Sequence, residues 1–445
     1  MELAKTNSQP EAKPPKINFK KILLFFILLF IIAAGIFGGY KLGLNKKITS
    51  SNTEVQSQNI YISFVSEVYD LVNENYWDKV DEEKLVSLFS LATEKVGGVY
   101  LDSQPKNKEE LFKTLSSLLG KVDSEDKKKK FTSTLADTVL SNLQPLGRSR
   151  LYSQKEEQNL SNLVQNINPE VNQYQVLGLD KEATDEEIQK AYESQSEKLK
   201  KEASPEAKQK LAQIEKAYQT LGDTTSKENY DASGVETTLE SKLVKPSILY
   251  LHLTRFSPTT FDDIKRVTEK FDEGSILDTL ILDLRDNIGG AFDGLPYFLG
   301  PFIGNNKYAY QLFHKGENTD YKTKIGYLPS LLRYKKVIIL INENSQSTAE
   351  TMVSVLKKYN VGILVGTKSK GWGTIEKVFP LNTQIDKEEK YSILLVHSLS
   401  LREDDKPIEG NGVEPVIDIS APNWEKELFS YFNSQEIVDT VKELI

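Results

Sequence analysis

Apolar residues recur along this chain in several distinct rhythms, and each predicts a different kind of element. Residues 22–40, ILLFFILLFIIAAGIFGGY, run for 19 positions without a charge. A helix of that length spans a hydrocarbon core of roughly 30 Å. From Ile60 the spacing changes: Phe64, Val68, Leu71, Val72 and Tyr76 fall three and four apart, the signature of one face of an amphipathic helix. Helical stretches of this kind continue to about residue 151, broken by charged links such as residues 126–130. Between residues 172 and 231 two more helical faces follow. Thr184 and Glu187 read as a capping box that starts the first. Ile188, Ala191, Tyr192 and Leu199 line it, Leu211, Ile214, Ala217, Tyr218 and Leu221 line the second, and Gly222-Asp223 ends the pair as an αα-hairpin. Beyond residue 246 short apolar runs at 248–253, 279–285, 336–342, 362–366 and 391–397 read as strands. Helical patterns at 260–271 and 347–359 alternate with them, which argues for an α/β domain with a substantially parallel sheet.

Charge gives the first apolar run a direction. Lys5, Lys13, Lys16, Lys20 and Lys21 precede it, against Lys41, Lys46 and Lys47 after it. That bias favours a cytoplasmic N-terminus and an extracytoplasmic remainder. The run is longer than a secretory h-region, although Ala33-Ala34-Gly35 would serve as a cleavage site were it a signal peptide. Residues 45–59 are polar and suit a tether. The net charge of -8 and pI near 5.4 speak against a nucleic-acid partner. Without cysteine there are no disulfides, no thiolate catalysis and no Cys-ligated metals. His252, His314 and His397 lack metal-ligand spacing, so neither a metal nor a cofactor is expected. His252 and His397 sit in apolar strand runs and read as core or edge residues.

Several segments carry a resemblance to known proteins. VSEVYDLVNENYWDKVDEEKLV resembles the N-terminal helical segment of the C-terminal processing (tail-specific) serine peptidases. The stretches LILDLRDNIGGAFDGL, INENSQSTAETM, LVGTKSKGWGTIEKVFPL and KPIEGNGVEPVIDI resemble, in order, the motifs of that family's catalytic core. The resemblance implies an α/β peptidase core of the ClpP/crotonase-like class. YQVLGLDKEATDEEIQKAY and IEKAYQTLGDTTSKENYD resemble the two ends of a J-domain. The positions matching its His-Pro-Asp tripeptide are Lys200, Lys201 and Glu202, so the fold carries over and the co-chaperone activity does not. This insert stands where such peptidases carry a PDZ module. The predicted organisation is a cytoplasmic tail at 1–21, a transmembrane helix at 22–40, a linker at 41–59 and a helical N-terminal domain at 60–168. A J-domain-like module at 169–233, the peptidase core at 240–420 and a C-terminal helix at 421–445 complete it.

The resembled family uses a Ser/Lys dyad, because a serine hydroxyl is a poor nucleophile until a neighbouring base takes its proton. The motif places the nucleophile at Ser347, at the start of a helix where free N–H groups favour developing negative charge. The competing reading is structural, since Ser347 and Glu350 spell a capping box. By resemblance the oxyanion donors are the N–H of Gly289 or Gly290 and that of Thr348. The rival is a plain tight turn, and Ile288 replaces the family's proline beside it. The dyad lysine position holds Trp372, which cannot accept a proton, and the helper glutamine position holds Glu376. Lys370 lies two residues before Trp372 and on a strand would point to the same face, at an offset of roughly 6.6 Å, so it is the substitute base expected here. Glu376 is a second substitute. Lys368 reads as a surface charge. Losing the base typically costs roughly 10⁴–10⁶-fold in rate.

The functional expectation is a membrane-anchored tail-specific serine peptidase homologue acting on polypeptides outside the cytoplasm, with an impaired or unusual base. The alternative is an inactive pseudo-peptidase that keeps the peptide groove as a binding scaffold. A J-type co-chaperone with a chaperone ATPase partner ranks third.

Overall fold

The structure is a computed structural model that describes residues 59–271 and 276–445. The expected tail at 1–21, membrane helix at 22–40 and all but the last residue of the linker lie outside the described residues. Among the described residues no helix is long and apolar enough to cross a membrane.

The core is a 6-stranded sheet of β2 (Leu239–Lys245), β3 (Ile248–Leu253), β4 (Thr279–Asp283), β7 (Lys336–Ile341), β8 (Ile363–Gly366) and β11 (Ile417–Asp418), in the order β11-β8-β7-β4-β3-β2. All neighbours run parallel except β2, which lies antiparallel on β3. These strands read as unbroken apolar runs because both faces are covered. Leu249, Leu251, Leu280, Leu282, Ile339 and Ile341 pack on helices α10 (Thr260–Lys270), α11 (Leu295–Ile303) and α12 (Thr348–Lys358). The alternate positions, Ile248, Tyr250, Ile281, Ile338 and Leu340, pack on the C-terminal segment. That segment makes two helices, α13 (Trp424–Phe432) and α14 (Gln435–Leu444), rather than one. Leu428, Ile437, Val438 and Val441 bury against the sheet, and Arg285 Nη1 donates to the Leu444 carbonyl at 3.0 Å, so the segment covers the core.

A second, 5-stranded sheet holds β1 (Arg150–Ser153), β5 (Tyr308–His314), β6 (Glu317–Lys322), β9 (Thr374–Pro380) and β10 (Tyr391–Ser400). Its pairings are all antiparallel. The run at 391–397 is thus a strand, as its apolar pattern predicts, but outside the parallel sheet. The amphipathic helices α1 (Ile60–Asn75), α2 (Glu82–Gly97), α3 (Lys108–Gly120) and α4 (Glu125–Ser141) do not close on themselves. Phe64, Phe89, Leu115 and Leu135 share one core with Leu151 of β1 and Ile393, Leu395 and Val396 of β10. The expected all-helical domain at 60–168 therefore includes a strand and shares its interior with β10. After β1 the chain continues as α5 (Gln154–Gln165), capped by Ser153 and Glu156.

Residues 173–233 form a small helical unit of α6 (Gln173–Val176), α7 (Asp185–Lys200), α8 (Pro205–Leu221) and α9 (Thr224–Ser233), so two short helices flank the predicted hairpin. The Thr184 capping box is formed, with Glu187 N–H to Thr184 Oγ1 at 3.2 Å and Thr184 N–H to the Glu187 carboxylate at 2.8 Å. Ile188, Ile214, Ala217 and Leu221 are its core, and Tyr192 stacks on Tyr218 at 4.1 Å. Lys200 ends α7, and the Glu202 N–H closes back on the Leu199 carbonyl. The unit meets the sheet domain through Arg266–Asp223 at 3.3 Å and Lys216–Glu236 at 2.5 Å.

Candidate active site

The loops after β4 and β7 lie side by side beyond the carboxyl ends of parallel strands, the usual place for a ligand site in an open α/β sheet. Asn342 begins the β7 loop: its N–H donates to Ser345 Oγ, which donates in turn to the Leu284 carbonyl at 2.7 Å. The Gln346 N–H then bonds to the Asn287 carbonyl at 2.9 Å, tying one loop to the other. Held from both sides, Ser347 adopts φ 58°, ψ −123°, a conformation that a side chain rarely takes. Such strain persists only where the surroundings over-determine it, and at a strand-to-helix turn it presents the hydroxyl outward. The predicted capping box ties the turn to its helix, with the Ser347 N–H donating to the Glu350 carboxylate at 2.9 Å.

Gly289 and Gly290 are dictated by contact. At φ 85°, a Cβ on Gly289 would lie 2.7 Å from Ser347 Cβ. At φ 136°, a Cβ on Gly290 would lie 2.0 Å from the Phe256 carbonyl oxygen. The two glycines differ in what they can offer. The Gly289 N–H already donates to Asn287 Oδ1 at 2.8 Å. Among the described residues, the N–H groups of Gly290 and Thr348 take no partner in the chain. Thr348 Oγ1 donates to the Gly290 carbonyl at 3.1 Å, which holds the two residues together. Ile288, in place of the proline, sits partly exposed in the cavity wall.

A cavity of about 510 Å³ joins Ser347, Gln346 and the glycine pair to Trp372, Glu376 and Arg148. Trp372 occupies the side where the resemblance puts the base. Its backbone N–H and that of Gly371 donate to Glu350, at 2.8 and 2.6 Å, and Ser369 Oγ does so at 2.6 Å. Glu350 is fully buried, and that burial raises its carboxyl despite the four donors it accepts from. The Arg148 guanidinium lies 3.3 Å from the centre of the Trp372 ring and pairs with Glu409 at 3.2 Å. Glu409 in turn accepts the Gly373 N–H at 2.8 Å. Burial also pushes the Glu376 carboxyl up, countered in part by bonds from Thr374 Oγ1 at 2.6 Å and the Trp372 indole at 3.4 Å. Lys370 is elsewhere: it is exposed, its ammonium stands 5.6 Å from the Trp372 ring, and it does not line the cavity. That placement argues against the role of base. Lys368 pairs on the surface with Glu414 at 2.8 Å.

Sequence reasoning missed Arg148 and Glu409, which meet across 261 positions of chain and have no local signal. It saw Glu350 only as a cap, although its spacing from Ser347 was visible. Among the described residues no cluster of three or more His, Asp or Glu is placed to hold a metal.

Comparison with known proteins bears on this geometry. Residues 247–419 match the model of peptidase family S41. They form a family S41 peptidase domain. Residues 172–231 match the DnaJ domain. Relatives of the S41 domain include the carboxy-terminal-processing protease of Bartonella bacilliformis, 27% identical over 187 residues, which are 41% of this chain and 41% of that protein. A probable CtpA-like serine protease of Staphylococcus epidermidis is 26% identical over 181 residues, 41% of this chain and 35% of that protein. The match thus spans well under half the length of these relatives. Among solved structures, the photosystem II D1 C-terminal processing protease aligns at 13% identity and TM-score 0.46, over 81% of this chain and 93% of that one. A lipoprotein from Streptococcus agalactiae aligns at 13% identity and TM-score 0.44, over 88% and 100%.

Proposed function

We propose that this chain binds polypeptides in the Ser347 cavity and cleaves them slowly or not at all. The observation that carries this reading is the split within one site. The strained Ser347 turn and the glycine cradle are intact, whereas the position of the base holds Trp372 beneath a guanidinium. Ser347 is the nucleophile position in this reading, and the Gly290 and Thr348 N–H groups are the oxyanion donors. The core is of the ClpP/crotonase-like class, a reading supported by its parallel sheet with helices on both faces and its second, antiparallel sheet. The chain is anchored by residues 22–40 and works on the outer side of the membrane, as the apolar run and the lysine bias support. No co-chaperone role is proposed, because Lys200, Lys201 and Glu202 stand where the tripeptide belongs.

The test is covalent labelling with a serine-reactive phosphonate, beside cleavage and binding assays on unfolded polypeptides. The expected result is binding with little cleavage, and a gain of roughly 100-fold or more in Trp372→Lys, the lower end of what a positioned general base contributes. The positive charge of Arg148 beside the new amine would help keep it neutral. Efficient cleavage by the native chain, abolished by Ser347→Ala, would overturn the reading. A second reading, slow hydrolysis with Glu376 as base, is favoured by that carboxyl's burial in the same cavity. It requires a rate that rises with pH as Glu376 ionises and vanishes in Glu376→Gln.

A further inference from the structure

The 6-stranded sheet ends at β2, and the outer edge of that strand is open. The register pairs Glu240 with His252, Ser241 with Leu251, Lys242 with Tyr250 and Leu243 with Leu249, and the Thr254 N–H donates to the Thr238 carbonyl at 3.0 Å. Antiparallel partners alternate between those that exchange hydrogen bonds and those that do not. Counting from Thr238, Glu240 and Lys242 turn their backbone groups toward β3, and Ser241 and Leu243 turn theirs outward. Among the described residues, the outward N–H and carbonyl groups of Ser241 and Leu243 take no partner in the chain. Beyond them the register shifts between Leu243 and Lys245, a bulge that ends the open stretch.

A cavity of about 320 Å³ lies along this edge, between β2 and α8 of the helical unit at 173–233. It reaches both faces of the strand. On the face covered by α10 it is lined by Val267 and Phe271. Leu243, on that same face by strand alternation, is 48% exposed. On the other face stand Tyr250 and Lys242, whose ammonium lies 5.0 Å from the centre of the Tyr250 ring. The far wall includes Tyr218, packed so closely on Gly222 that a Cβ there would stand 2.6 Å from its ring. Some of the charges along the cavity are already answered. Arg266 meets Asp223 at 3.3 Å and Asp263 at 3.1 Å, and Glu240 meets His252 at 3.1 Å. Among the described residues, Lys242 and Lys270 on the sheet side have no carboxylate partner, and Glu215 of α8 has no cation.

We propose that β2 is a docking edge for an extended polypeptide segment that alternates apolar and acidic side chains. The segment pairs its backbone with Ser241 and Leu243, lays its apolar side chains over Leu243, Val267 and Phe271, and reaches Lys242 with its acidic ones. Pairing with both residues takes about three residues of extended chain, roughly 10 Å. The edge is distinct from the Ser347 cavity and does not depend on the function read there. The rival reading is that Lys242 only guards an exposed edge against pairing. Guarding accounts for the lysine, but not for a half-exposed leucine beside an apolar cavity wall.

The experiment uses the full chain and the peptide Thr-Val-Glu-Val-Glu-Val-Thr, fluorescently labelled at its N-terminus and amidated at its C-terminus so that it has no free end. Binding is followed by anisotropy, and its place by hydrogen-exchange mass spectrometry. In the free chain the amides of Ser241 and Leu243 should exchange quickly and those of Glu240 and Lys242 slowly. Bound peptide should protect the fast pair. Ser241→Pro removes an outward donor and leaves every bond to β3 in place, and should weaken binding roughly 10-fold. Lys242→Glu should weaken the acidic peptide and favour its counterpart with lysine in place of glutamate. Lack of binding at about 1 mM peptide overturns the proposal, as does binding without new protection over residues 239–243. Both are read on the native chain, whether or not the variants fold. Binding that survives Ser241→Pro, or a lysine peptide that binds the native chain as tightly as the acidic one, overturns it too.

Discussion

At the scale of single residues the site rests on contacts that leave little freedom. Gly289→Ala would set a methyl group 2.7 Å from Ser347 Cβ at a φ of 85°. Neither the turn nor the serine can yield without losing the Gln346–Asn287 bond. The expected cost is about 1–3 kcal/mol of stability with loss of phosphonate labelling, read by thermal unfolding and mass spectrometry. Glu350→Gln tests the buried hub differently. The carboxylate accepts from Ser347, Ser369, Gly371 and Trp372, and an amide turns a donor toward one of those four. A loss on the order of 3 kcal/mol is expected in a denaturant titration. Ser347, the glycines, Thr348, Trp372 and Glu376 were all legible in the sequence because they sit inside contiguous motifs. Lys370 shows the limit of that method. Strand alternation places its side chain correctly only if residues 370–372 are a strand, and β9 begins at Thr374.

At the scale of elements, legibility followed burial. Strands covered on both faces wrote continuous apolar runs, and amphipathic helices wrote the 3.6 period. β6 was invisible, since all of its residues are exposed and only its pairing with β5 makes it a strand. The sheet to which β10 belongs was equally hidden, because its partners β1, β5 and β9 are set by long-range register. One prediction belongs to β10. His397 stacks on His314 at 4.3 Å, and burial, then Lys377, His314 and Lys315, lower its pKa from 6.5 to about 4. Between those values the unfolded chain binds a proton that the folded chain does not, so stability should fall as pH drops from 6.5 toward 4. Melting curves of His397→Gln should show a shallower acid limb than those of the native protein. Identical slopes would place the acid sensitivity elsewhere.

At the scale of the whole molecule, the proposed anchor at 22–40 and the side on which it would hold the cavity are open to direct test. In the proposed reading, a peptide-binding site tethered by 22–40 would meet only polypeptides on its own side, so orientation would decide the available ligands. The proposed orientation, with the N-terminus inside, draws on the lysine bias. The absence of cysteine makes this directly measurable, because any thiol introduced is the sole one in the chain. Ser8→Cys and Ser51→Cys flank the apolar run. With a membrane-impermeant maleimide on intact cells, the thiol of Ser51→Cys should label at once and that of Ser8→Cys only after lysis. The full chain should sediment with membranes, and a chain begun at Asn59 should not. The reverse labelling pattern would put the cavity in the cytoplasm. A soluble product lacking residues 1–35 would instead identify the run as a cleaved signal peptide, and the Ser347 cavity would then act free of the membrane on the same outer side.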